Sequence, residues 1–104
     1  MEPREYTDEE VRDMFISHIW MLVNYWDKAD RPTQHDRMAG LAFSILSMLD
    51  GCSMNLPGFS VIPHPHPDDK EFRKNEGTNW FPEPQKVNHD ISGMLHDNFY
   101  KFEP

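Results

Sequence analysis

The sequence predicts a mainly α-helical fold with a minor extended component (α+β minor): an antiparallel two-helix hairpin, a proline-rich middle and a C-terminal helix. Apolar residues recur at helical spacing over residues 8–26, and they recur again over residues 34–49. Proline then becomes frequent between residues 57 and 84, where long helices are excluded. Because 104 residues is the size of one domain, we assign residues 1–104 to a single small globular domain.

The first helix has a clear start signal and an unusually wide apolar surface. Thr7 followed by Glu10 is a capping box, which predicts a helix from residue 8 to 26 or 28. One apolar stripe contains Val11, Met14, Phe15, His18, Ile19, Leu22, Tyr25 and Trp26, and a second contains Ile16, Trp20 and Val23. Together they cover about 260° of the helix, where a surface helix needs an apolar arc of about 100°. The helix must therefore be covered on two sides, by the rest of its own chain or by another copy, and we predict a homodimer formed through residues 8–26.

The second helix is predicted over residues 34–49, with Thr33 as N-cap and Gly51 just past its end. Its core stripe consists of Met38, Leu41, Ala42, Ile45, Leu46 and Leu49. Small residues at 40, 44 and 47 line a second face, which favours close packing against the first helix. The short connection between the two helices favours an antiparallel hairpin.

The middle of the chain is predicted to contain one or two short extended segments and a short helix. Residues 59–62 have strand character, but the flanking prolines favour an edge strand or an extended segment. Residues 63–67 alternate proline and histidine and should be extended. Pro67 suits the first position of a short helix that stops at Gly77. Residues 80–84 form a second extended patch, which would pair with or pack beside residues 59–62.

The last helix is predicted to span residues 89–100, with Asn88 or Asp90 as its cap. Gly93 weakens this helix slightly. Its buried stripe would consist of Ile91, Met94, Leu95 and Phe99.

Charge and cysteine content exclude several classes of function. The formal net charge is −8, from 18 acidic and 10 basic side chains, which argues against direct binding to nucleic acid or to an anionic membrane and permits a basic protein partner. Cys52 is the only cysteine, so an intrachain disulfide and a cysteine zinc cluster are excluded. The first residues lack the pattern of a signal peptide, and the apolar run at residues 19–23 is too short to span a bilayer. We expect a cytoplasmic protein without membrane contact.

The histidines and aspartates that follow residues 59–62 are candidate metal ligands. His66-Pro67-Asp68-Asp69 resembles the His-Pro-Asp-Asp motif of zinc-dependent deacetylases that act on N-acetylglucosamine conjugates. The resemblance implies that His66 and Asp69 bind zinc and that Asp68 is the general base that activates a bound water. His64-x-His66-x-Asp68 is also similar to part of the metallo-β-lactamase signature, although Asp69 stands where that pattern has a further histidine.

The same residues have a structural interpretation. Pro67 presets the first turn of a helix, and Asp68 and Asp69 favour its N-terminus, so the segment needs no metal. A metal site would also need a third ligand, which would have to come from His89 or His96. We therefore expect no cofactor, with zinc as the alternative.

Trp80 and Phe81 are candidate binding residues, together with His64. The two aromatic residues lie between Asn79 and Pro82, where they form either an exposed anchor of the kind that dominates interfaces or a lid over the small core. Cys52 has no histidine next to it in sequence, so we expect a spectator thiol.

The leading hypothesis is a small acidic module that binds or inhibits a protein partner without enzymatic activity, and we assign no catalytic residue. One alternative is a metal-dependent hydrolase centred on residues 64–69. Another is an acidic mimic of nucleic acid, in which the clusters at residues 8–10 and 68–71 imitate phosphates. Residues 38–46 (MAGLAFSIL), 65–70 (PHPDDK) and 79–82 (NWFP) are similar to small uncharacterised proteins of bacteria and their phages.

Overall fold

The fold is mainly helical, as the sequence predicts. The computed structural model describes residues 2–82 and 89–104. Over these residues it contains four α-helices: α1 (Asp8–Asp27), α2 (Gln34–Leu49), α3 (Asp69–Asn75) and α4 (Leu95–Phe99), which a 3₁₀ turn (Tyr100–Phe102) extends. No strand occurs in the described ranges. Helix α2 packs against α1 on one side and against α4 on the other.

The capping box at the start of α1 is confirmed. The Glu10 amide donates to Thr7 Oγ1 at 3.1 Å, and the Thr7 amide donates to Glu10 Oε1 at 3.0 Å. Arg4 binds the same carboxylate through both guanidinium nitrogens, at 2.8 and 3.0 Å. The hydrogen bond from Arg4, with that from the Thr7 backbone, lowers the pKa of Glu10 to about 2. The first turn of α1 is therefore fixed by local contacts.

The hairpin is closed by Trp26, which lies against the small residues of α2. Its indole nitrogen donates to Ser44 Oγ at 2.8 Å. A Cβ atom built on Gly40 would lie 2.5 Å from Cη2 of the same ring, so only glycine allows this approach. The predicted boundaries of α2 and the small-residue face that contacts α1 are confirmed.

The extended segment at residues 59–62 does not become a strand. Its first residue docks on the hairpin, because the Phe59 amide donates to the Leu49 carbonyl at 2.9 Å and the Phe59 ring meets Phe15 edge-on at 5.1 Å. The Val61 carbonyl then accepts from the Ile91 amide at 2.8 Å. The backbone partners of residues 59–62 are thus Leu49 and the segment before α4, and the predicted pairing with residues 80–84 is wrong in its described part, residues 80–82.

The last helix is shorter than predicted. Asp90 does not cap a helix: its Oδ1 accepts from the Val61 amide at 2.7 Å and from the Ser92 amide at 2.9 Å. Gly93 has a φ of +108°, which interrupts any helix that begins earlier. As a result, α4 starts at Leu95, and two residues of the predicted buried stripe, Ile91 and Met94, are exposed. The other predicted cap, Asn88, lies outside the described residues.

The hydrophobic core is small. Among the described residues, only Met48 and Leu56 are buried hydrophobic side chains, at 1% and 7% exposure. The Cα radius of gyration is 17.6 Å, whereas a compact chain of this length has about 13 Å. The molecule measures 49 × 47 × 19 Å, so it is a plate too thin to cover apolar side chains on both faces.

Candidate functional site

The outward side of α1 carries the second apolar stripe. At 100° per residue, Ile16 and Trp20 point away from the face that packs on α2. Ile16 is 48% exposed and Trp20 is 62% exposed, while Val23 beside them is half-buried. We call Ile16, Trp20 and Val23 the outer stripe. The first predicted stripe faces the rest of the chain, and no residue of α1 is fully buried.

A second exposed pair on α1, Met21 and Tyr25, borders the chain itself. Met21 lines a groove together with residues of α2, and the Tyr25 ring lies edge-on to Trp26 at 5.2 Å. Tyr25 is 63% exposed, although it belongs to the first predicted stripe, whose other members are half-buried. Met21 and Tyr25 are therefore about as exposed as Ile16 and Trp20, but they lie beside other residues of the chain.

The two ends of α1 differ in charge, because the first turn is acidic whereas Lys28 and Arg31 at the other end are balanced by Asp27 and Asp30. Asp8, Glu9 and Glu10 form its first turn, while its last turn contains no basic residue. Lys28 caps its C-terminus, and Arg31 follows with its guanidinium 5.8 Å from the Trp26 ring centroid.

The segment predicted to bind metal forms the turn that leads into α3. The Asp68 amide donates to His66 Nδ1 at 3.1 Å, and the Asp69 amide donates to the His66 carbonyl at 2.9 Å. His66 Nδ1 lies 3.7 Å from Asp68 Oδ2, and both side chains are exposed. His64 is exposed in the extended segment before this turn.

Both carboxylate oxygens of Asp69 accept hydrogen bonds from residues within 12 positions of it in the sequence. Its Oδ1 accepts from Arg73 Nε at 2.7 Å, and its Oδ2 accepts from the Phe81 amide at 3.2 Å. The hydrogen bond from Arg73 is the main cause that lowers the pKa of Asp69. In the part of the chain that the structure describes, no three His, Cys, Asp or Glu side chains are arranged to hold a metal ion.

Trp80 and Phe81 lie against α3 and carry stacked cations. Lys70 Nζ lies 5.6 Å from the Trp80 ring centroid, and Arg73 Cζ lies 4.8 Å from that of Phe81. Both aromatic rings are exposed. Helix α3 packs against none of the other described helices, so Trp80 and Phe81 lie against a helix that is separate from the hairpin.

A cluster that sequence reasoning missed joins the end of α2 to α4. Asp50 is the C-cap residue of α2, and its side chain has no exposed surface. Its Oδ1 accepts from the Gly93 amide at 2.6 Å, and its Oδ2 accepts from the His96 amide at 2.8 Å and contacts His96 Nδ1 at 2.5 Å. Burial opposes ionisation of Asp50, but the hydrogen bonds from His96 and Gly93 outweigh it and keep the pKa of this carboxyl below its ordinary value. The carboxylate therefore fixes both the start of α4 and the orientation of the imidazole.

The other ring nitrogen of His96 faces a thiol. His96 Nε2 lies 3.8 Å from Cys52 Sγ and 3.4 Å from Asp97 Oδ1. Cys52 is exposed and lines a groove of about 290 Å³, whose other lining residues are His18, Met21, Leu22, Ser44, Ser47, Met48 and Ser53. Cys52 and His96 are 44 residues apart, so the sequence around Cys52 does not reveal their contact.

No protein-family model, curated protein or solved structure matches the chain. Across residues 2–82 and 89–104, none of the helices has the combination of length and hydrophobicity that crossing a bilayer requires.

Proposed function

We propose that the protein is a small, acidic, cytoplasmic interaction module without enzymatic activity, and that two copies associate through the outer stripe of α1. The observation that supports this proposal is the contrast between two parts of the molecule. Among residues 2–82 and 89–104, Met48 and Leu56 are the buried hydrophobic side chains, whereas Ile16 and Trp20 are exposed on one side of α1.

The exposed area is large enough for a stable dimer. The chain exposes 8694 Å², whereas a compact folded chain of 12.3 kDa exposes about 6,100 Å². The excess of about 2,600 Å² is spread over the whole chain, and a typical stable interface takes roughly 800 Å² from each partner. Covering this surface provides the apolar burial that the thin plate lacks on its own.

A second copy of the chain is the occupant that fits the outer stripe. A two-fold axis places the same patch on both copies, so Ile16 and Trp20 of one α1 would pack on the same residues of its partner. In an antiparallel arrangement, the first turn with Asp8 and Glu9 approaches the C-terminal end of the other α1, whose charged residues balance one another. Rim charges of this kind add little to the affinity, so the dimer would depend on the apolar contact.

The dimer would present an acidic surface to a protein partner. Two copies at −8 give a formal net charge of −16. A field of this sign repels nucleic acid and attracts a basic protein surface. Binding to such a partner should weaken steeply as the salt concentration rises.

The test is the mass of the protein in solution. Sedimentation equilibrium at micromolar concentration should give twice 12.3 kDa, and a clean monomer would contradict the homodimer. Turnover of any substrate that is lost with His66→Ala would contradict the absence of enzymatic activity.

A further inference from the structure

We propose that Asp50, His96 and Cys52 form a nucleophilic triad in which the Cys52 thiol accepts an acyl group from a thioester or another activated ester. The Cys52 sulfur lies 3.8 Å from His96 Nε2, and His96 Nδ1 lies 2.5 Å from Asp50 Oδ2. Cys52 is then a covalent modification site, which is separate from the outer stripe and does not depend on dimerisation.

The order of contacts is the one that nucleophilic catalysis requires. Asp50 is buried and ionised, so it accepts the Nδ1 hydrogen of His96. A ring that carries its single hydrogen on Nδ1 can accept the thiol proton of Cys52 at Nε2. A nucleophile, a base within reach and a third group that orients the base are the parts of such a site.

Acyl transfer from an external donor needs no second cysteine and no metal ion. Disulfide exchange within the chain needs a second cysteine, and Cys52 is the only one. Metal binding needs more ligands, and none of the described side chains complete such a group. The groove beside Cys52 has a volume of about 290 Å³ and is lined by apolar side chains, including Leu22 and Met48, and by serine hydroxyls. A short acyl chain fits there next to the sulfur.

The step balances without an oxidant or a reductant. Cys52 Sγ attacks the carbonyl carbon of the acyl donor and forms a new sulfur–carbon bond, while the bond from that carbon to the leaving sulfur or oxygen breaks. The thiol proton passes to His96 Nε2 and then to the leaving group. The products are a thioester on Cys52 and a free thiol or alcohol.

The groups that face His96 suit this proton transfer. Asp50 holds one ring nitrogen, and Asp97 Oδ1 lies 3.4 Å from the other. Positive charge that forms on the ring therefore meets two carboxylates. His18 lines the same groove as Cys52 and is the other titratable side chain there.

The first experiment uses p-nitrophenyl acetate with the full chain at pH 7. Release of p-nitrophenolate should accompany one acetyl group on Cys52, located by mass spectrometry of peptides, and Cys52→Ser should lose that adduct. His96→Asn should slow Cys52 acetylation by about 100-fold, the lower end of the effect of a positioned base. The matched control is His35→Asn, at an exposed histidine in the first turn of α2, and its rate should equal that of the native chain. Equal rates for native protein and His96→Asn would overturn the proposal.

A second comparison applies even if His96→Asn fails to fold. The native chain should acetylate at Cys52 at least about tenfold faster than the same chain in urea, because unfolding separates the thiol from its base. Equal rates in the two states would overturn the proposal.

The role of Asp50 as a positioning residue has its own readout. Nitrogen-15 NMR of the His96 ring should show hydrogen on Nδ1 and a bare Nε2 in the native chain, and Asp50→Asn should change this distribution. A native ring with hydrogen on Nε2 and a bare Nδ1 would overturn the proposed direction of proton transfer.

Discussion

Replacing Trp20 by alanine should weaken the dimer strongly. Trp20 is 62% exposed in the single chain, and an aromatic side chain of this size buries up to about 250 Å². The area available to a partner is therefore about 150 Å², which at about 25 cal/mol per Å² gives a ceiling of about 4 kcal/mol for each copy.

The measured loss should be smaller than this ceiling. Ordering the Trp20 side chain offsets part of the free energy gained by burying it, and the alanine side chain still covers some of the same surface. The expected loss is therefore about 2 kcal/mol per copy, which is typical of an interface hot spot. A two-fold interface contains the residue twice, so the total is about 4 kcal/mol, or about three decades in the dissociation constant.

The assay is sedimentation equilibrium over a dilution series, with Tyr25→Ala as the matched control. Tyr25 is 63% exposed on the same helix, but it lies outside the outer stripe and against Trp26. Circular dichroism should show that both variants keep the helical content of the native chain.

Two results would refute the reasoning. An unchanged dissociation constant for Trp20→Ala would show that the outer stripe is not the interface. A large loss in Tyr25→Ala with none in Trp20→Ala would place the interface on the other flank of α1.

Three further predictions concern stability. Gly40→Ala should lower the free energy of unfolding by about 1 to 3 kcal/mol in urea denaturation, because the new methyl group would overlap the Trp26 ring; an unchanged or higher stability would contradict that packing. The hydrogen bonds from Ser92 and Val61 lower the pKa of Asp90 from 3.8 to about 2, so its contribution to stability is present above pH 3.8 and is lost as the pH falls towards 2. Asp90→Asn should therefore lower the melting temperature at pH 7 and reduce the loss of stability between pH 4 and pH 2, and an acid transition identical to that of the native chain would argue against this role. Adding zinc to chelator-treated protein should leave the melting temperature unchanged, because Asp69 is held by Arg73; a zinc-induced rise that His66→Ala removes would instead support the metal-dependent hydrolase.

The sequence determined the features that depend on near neighbours along the chain. Thr7 and Glu10 fix the start of α1, and Thr33 fixes the start of α2, where its hydroxyl accepts from the Asp36 amide at 3.1 Å. Gly77 ends the turn after α3 with a φ of +74°. Capping and backbone preference act within a few residues, so these boundaries can be predicted from the sequence. The wide apolar surface of α1 can also be predicted from the sequence, because helical spacing alone reveals it.

Only the tertiary structure decided which groups meet across long stretches of chain. The Asp90 carboxylate binds the Val61 amide, 29 residues earlier, and a helix predicted from residue 89 begins at Leu95 instead. The packing of Trp26 on Gly40 decided which stripe of α1 faces outward. Asp50 positions His96 against Cys52, a thiol that the sequence presented as isolated. Periodicity and capping describe one segment at a time, whereas these contacts depend on how distant segments pack together, which no local pattern in the sequence specifies.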